Sequence, residues 1–121
     1  MIHRTINLVD KLAQIRETWK PRIVAELNGQ HVKLTKLHGE FIWHSHEHED
    51  ELFLVIAGRL RIELRDGALE LGPGEMAVIS RGVEHRPIAA EETHVLLFEP
   101  ASTVNTGTAG GERTITALEW I

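Results

Sequence analysis

At 121 residues the chain is sized for one domain with its own core, and 42% apolar with 26% charged residues is ordinary for a folded globular protein. A formal charge of −5 argues against a nucleic-acid or anionic-membrane surface, and no apolar run approaches the ~18 residues of a membrane span, so a cytoplasmic protein is expected. With no cysteine there can be no disulfide, no thiol catalysis and no metal site on sulfur, which leaves nitrogen and oxygen as the only ligands.

Leu8, Val9, Leu12, Ile15 and Trp19 recur at helical spacing and predict one amphipathic helix over 7–19. Asn7 is its expected N-cap, Asp10 lies in the first turn, and Pro21 ends the pattern. From Arg22 to Pro100 short apolar or alternating runs separated by turn signals predict an all-β barrel or sandwich. Arg22–Leu27 and His31–Leu37 flank Asn28-Gly29, a hairpin signal. Arg59–Arg65 alternates, with Leu60, Ile62 and Leu64 on one face, and Asp66-Gly67 turns it back into Ala68–Leu71. Gly72-Pro73-Gly74 precedes a strand over Glu75–Ile79, and His94–Glu99 is the last expected strand. In Glu51–Ile56 both faces call for burial: Glu51, Phe53 and Val55 on one, Leu52, Leu54 and Ile56 on the other. Residues 101–121 read as an irregular tail whose apolar close, Ile115–Ile121, is suited to dock on the barrel or on a partner. The expected organisation is one domain over 1–121 with a barrel core at about 22–100.

Chemistry concentrates in His44-Ser45-His46-Glu47-His48-Glu49-Asp50-Glu51, which holds three of the eight histidines and no Lys or Arg. Imidazole nitrogens and carboxylate oxygens so close together suit a borderline divalent metal. On a strand His44 and His46 leave the same face, with Cα atoms roughly 6–7 Å apart. Glu51 lies an odd number of residues from His46, so a turn around Glu47–Asp50 must intervene for it to face the same way. His85, 34 residues beyond Glu51, follows Gly82 and precedes Pro87, which predicts a loop delivering a fourth ligand.

The bland reading of such a cluster is a solvated polar loop, and the same-face pair plus the distant His85 argue against it. His46 and His48 form a second His-x-His pair, but Glu51 then follows too soon, so His48 reads as exposed. Glu47, Glu49 and Asp50 read as loop charges. His3, His31, His38 and His94 read as surface or core-polar residues, although parity would allow His38 to line the same cavity. Trp43 and Trp120 read as packing residues, and Arg61 and Arg65 as solvated.

The pattern resembles the two motifs of the cupin superfamily. Gly39, His44, His46, Glu51 and Gly58 match the first, with a first gap of four residues instead of about five. Gly74, Gly82 and His85 match the second, with Ser80 where Pro is usual and Ala89 where Asn is usual. The resemblance covers about residues 32–100 and implies a double-stranded β-helix (jelly-roll) barrel. It further implies one divalent ion, of Mn, Fe, Ni, Cu or Zn, on His44, His46, Glu51 and His85, with open positions for water or a chelating substrate.

Two functional classes follow. One is a metalloenzyme acting on a small oxygen-rich or chelating metabolite, of dioxygenase, decarboxylase, oxidase or isomerase type; the other is a metal or small-molecule binding or sensor module without turnover. The sequence singles out no catalytic acid or base. The apolar strand, helix and tail offer more buriable surface than one small barrel needs, and the resemblance points the same way, to a homodimer.

Overall fold

Asn7 opens the first element as expected, its side chain accepting the Asp10 backbone N–H at 3.0 Å. In the computed structural model, which describes residues 3–121, the helix α1 then runs only over Leu8–Ala13. The 7–19 expectation is therefore too long. The Gln14 and Ile15 N–H groups bond three residues back, to Lys11 and Leu12, both at 3.0 Å, and that tightening ends the helix. Trp19 takes a left-handed backbone conformation (φ 62°), and its N–H donates to the Lys36 carbonyl. Its place in the helical period is a coincidence of spacing: it stacks on Phe41, ring centroids 5.0 Å apart. Val9 faces solvent, while Leu12 and Ile15 carry the buried stripe.

Among the described residues seven strands follow: β1 (Arg22–Leu27), β2 (Gln30–Glu40), β3 (Glu51–Ala57), β4 (Leu60–Leu64), β5 (Gly67–Leu71), β6 (Met76–Ile79) and β7 (His85–Pro100). All pairings between them are antiparallel, in the order β1-β2-β7-β3-β6, with β4 joining β7 to β5. Asn28 and Gly29 both have positive φ (51° and 76°), the conformation a two-residue hairpin turn needs. The largest departure is β7, a continuous strand of 16 residues where the sequence suggested only His94–Glu99. Pro87 does not break it, because at that point the strand pairs β4 through Ile62 and its carbonyl accepts the Phe41 N–H. The exposed Ala90, Glu91 and Glu92 disguised the middle of β7, which passes from pairing with β4 to pairing with β2 and β3.

The barrel interior is filled from both directions. Leu37, Phe53, Val55, Leu60, Ile62, Leu71, Ile79, Ala89, Val95 and Leu97, from six strands, form one buried cluster. Alternation puts Glu51, Phe53 and Val55 inside, and leaves Leu52, Leu54 and Ile56 on the outer face. Part of that face is covered: Leu12 and Ile15 of the N-terminal segment lie over Val24 and Leu34, with Ile56, Leu96 and Ile121 at the margin. The jelly-roll barrel is thus lined on one side of its sheet and roofed on the other by the chain's own N-terminus.

The tail is irregular, as expected, and it docks. Its last residues run along β1, the Ile23 N–H donating to Glu119 and the Ile121 N–H to Ile23. Arg113 lies 4.6 Å from the Phe41 ring centroid and donates to the Glu40 carbonyl, clamping the Trp19–Phe41 stack. Trp120, expected to pack, is largely exposed, bridging to Ile23 and setting its ring against the edge of His31.

Candidate metal centre

His44 and His85 are backbone partners, each N–H donating to the other's carbonyl at 3.1 and 2.9 Å. His85 is therefore the first residue of β7 and not a loop residue, which corrects the reading from Gly82 and Pro87. His46 lies two residues beyond His44, its carbonyl accepting the Gly82 N–H at 2.8 Å. The chain bends at Glu47 and His48 before Glu51 opens β3, as parity required. Asp50 anchors that bend by accepting from the Arg81 backbone N–H and guanidinium, a structural role for a residue taken as a solvated charge.

These elements bring His44, His46, Glu51 and His85 together. One ligand atom from each lies within 4.8 Å of all the others, and all four side chains are buried. The Glu51 Oε1 atom stands 3.3 Å from His85 Nε2 and 3.5 Å from His46 Nε2. Atoms bound at 2.0–2.2 Å to a common ion stand about 3 to 4.4 Å from one another, so little contraction is needed. His48 is exposed on the bend, and His38 points to solvent, its carbonyl accepting from Trp19. His31 and His94 pair with Glu26 and Glu92 outside the site.

The ring orientations fit a metal. A carbonyl only accepts, so His44 Nδ1, 2.9 Å from the Ile42 carbonyl, and His85 Nδ1, 3.0 Å from that of Val83, must carry their ring protons. That leaves Nε2 of both as a lone pair directed inward. His46 is 3% exposed with neither ring nitrogen hydrogen-bonded among the described residues, and a buried orphan of this kind is costly unless a ligand satisfies it. Burial first, and then the neighbouring His85, push His44 down to about 4, so its imidazole is neutral near pH 7. Burial pushes the Glu51 carboxyl up, but its hydrogen bond with Glu99 and the His46 and His85 rings beside it prevail and hold it well below the usual range.

Sequence reasoning missed the polar groups behind these four. Lys33, Thr35 and Glu99 are buried on the inner face, and the Lys33 Nζ–Glu99 Oε1 ion pair is 2.9 Å long. Burial and the Glu51 charge push the Glu99 carboxyl well above the carboxylate range. The signal was present: Lys33 and Thr35 have the parity of Leu37, and Glu99 that of Val95 and Leu97. Lys33, Thr35 and Glu99 line the same cavity as His44 and Glu51, with about 50 Å³ of free space, apolar walls including Phe41, Phe53 and Leu97, and Asn105 and Leu118 of the tail also at its boundary.

A buried three-histidine, one-glutamate cluster in a jelly-roll barrel is a metal-binding arrangement. The family described as "Cupin domain" matches residues 27–99, and the chain belongs to it. A cupin-2 domain containing protein from Shewanella frigidimarina is 46% identical, with a TM-score of 0.78 over 78% of this chain and 93% of its own. Protein NMB1881 from Neisseria meningitidis is 34% identical, with a TM-score of 0.74 over 81% of this chain and all of its own. The uncharacterized protein YdbB of Bacillus subtilis is 32% identical over 81 residues, 66% of this chain and 72% of its own.

Proposed function

We propose that the protein is a metalloenzyme acting on a small oxygen-rich or chelating metabolite. In this reading one divalent ion, of Mn, Fe, Ni, Cu or Zn, is held by Nε2 of His44, His46 and His85 and by a Glu51 oxygen. The observation that carries the reading is the buried convergence of four ligand atoms, with two imidazoles fixed by backbone carbonyls and a third left without partners. Bound there, such an ion supplies Lewis-acid or redox chemistry of the dioxygenase, decarboxylase, oxidase or isomerase type. Four protein ligands leave positions free on a six-coordinate ion, the arrangement of a catalytic centre more than of a closed structural one. The chain's own groups do the rest. Phe41, Phe53 and Leu97 give the cavity apolar walls, and Glu99 sets a second carboxyl against Glu51 beside the ligand cluster.

The small free space of the cavity favours a second reading, a binding module without turnover. Metal analysis of protein purified without added metal, followed by activity screening with small acids and diketones, separates the two. A stoichiometric ion with turnover supports the enzyme, and a stoichiometric ion without turnover supports the module. No ion, even after incubation with Mn, Fe, Ni, Cu or Zn salts, would overturn both.

A further inference from the structure

We propose that Lys33 and Thr35 form the second half of a binding site for a small carboxylate whose other end chelates the ion on His44, His46, Glu51 and His85. The proposal rests on the metal reading above and extends it to a class of ligand.

Both residues are 2% exposed or less, and both border the cavity that His44 and Glu51 border. They lie two apart on β2, so their side chains leave the same inner face. Their hydrogen-bonding capacity is unspent. An ammonium has three donors, and among the described residues Lys33 uses one, to Glu99. The Thr35 hydroxyl has no hydrogen-bond partner among the described residues. A dry apolar wall would be the cheaper use of these positions, since buried donors without acceptors are costly. A ligand that accepts from both offsets that cost.

Charge selects the ligand further. A divalent ion and Lys33 together outweigh Glu51 and Glu99 even with both carboxyls ionised, so the loaded cavity would carry a positive excess that an anion neutralises. Asn105, the other polar group of the lining, does not compete, because its amide is committed to the Arg113 carbonyl and the Ile115 N–H. Two donors on one face of β2, one of them charged, suit the two oxygens of a carboxylate. Free space of about 50 Å³ admits only a few waters' worth of ligand, hence a short acid. Phe53 and Leu97 give the same cavity an apolar wall, against which a short carbon chain can lie.

The probe is malonate, a three-carbon diacid, titrated calorimetrically into the Zn²⁺-loaded full chain, with propane-1,3-diol as the neutral control of equal length. Malonate should bind the wild type and the diol should not. Thr35→Val keeps the shape of the side chain and should weaken malonate about tenfold while leaving Zn²⁺ affinity unchanged. Lys33→Met should weaken it about a hundredfold. Equal malonate affinity in wild type and Thr35→Val, or a diol that binds as tightly as the acid, overturns the proposal. So does a zinc-loaded wild type that ignores malonate, an outcome that leaves the metal reading standing. A wild type that takes up no Zn²⁺ instead fails at the metal reading, and the carboxylate site falls with it.

Discussion

His46 is the ligand held least by the rest of the protein. His44 and His85 each have a backbone bridge and an Nδ1–H bond, whereas the His46 ring has no hydrogen-bond partner and Gly107 lies against it. His46→Ala should therefore empty the site in metal analysis while circular dichroism still reports a folded barrel, because the buried apolar cluster contains none of the four residues. Full occupancy in that variant would mean the ion sits elsewhere. His44 makes a second prediction. Its folded value of about 4 lies below the ordinary 6.5, so as pH falls the unfolded chain takes the proton first. Its contribution to stability is complete above 6.5 and is lost progressively between 6.5 and about 4. Glu99, pushed upward, acts with the opposite sign, so the comparison is between metal-free wild type and His44→Asn. Urea unfolding of the two across that range should give a stability difference that shrinks toward acid. A difference independent of pH would remove the account.

At the level of elements, the least legible part of the sequence is the part that closes the site. Residues 101–121 offer no periodicity, yet the Thr108 N–H donates to the Ser45 carbonyl at 2.9 Å and Thr106 is fully buried. Gly107 makes this approach possible. It has a left-handed backbone (φ 52°), and a Cβ there would overlap the Ser45 carbonyl oxygen. Gly107→Ala should cost about 2 kcal/mol or more in chemical unfolding and expose the tail to limited proteolysis before the barrel opens. A variant with wild-type stability and an uncut tail would show that the tail is not seated this way. Where alternation or turn chemistry is local, the sequence was readable: Asn28-Gly29 and β4 fall where expected, and the turn after β4 lies one residue early, at Arg65-Asp66, with Gly67 already paired to Leu64. The four clustered residues were readable too, because parity and spacing suffice to place them. The α1 boundary was not, since Trp19 keeps helical period for a tertiary reason, its stack on Phe41. Nor was the partnership of Lys33 with Glu99: parity puts each on the inner face, but nothing local joins residues 66 apart across β2 and β7.

For the whole molecule, the unresolved question is what covers the rest of the outer face. The N-terminal segment protects Leu34 and Val24, but it does not reach the far side of the sheet. There β6 pairs only with β3 among the described residues, which makes it an edge strand. Its outward Met76 and Val78 are 61% and 58% exposed, opposite Leu54 and Leu52, and Leu52 in turn faces Phe98 on β7. Five apolar side chains on three adjacent strands, ending at an open edge, form a surface that a second copy of the same chain would bury. We predict a homodimer through this face. Sedimentation at micromolar concentration should give twice the 13.6 kDa chain mass, and Val78→Glu with Met76→Lys should give the single mass with metal content unchanged. The paired change separates assembly from the site because both side chains point away from the barrel interior, while Ile79, next along β6, points into it. A wild type that sediments as a monomer would leave this face to water, and the exposed Met76 and Val78 would then need another explanation.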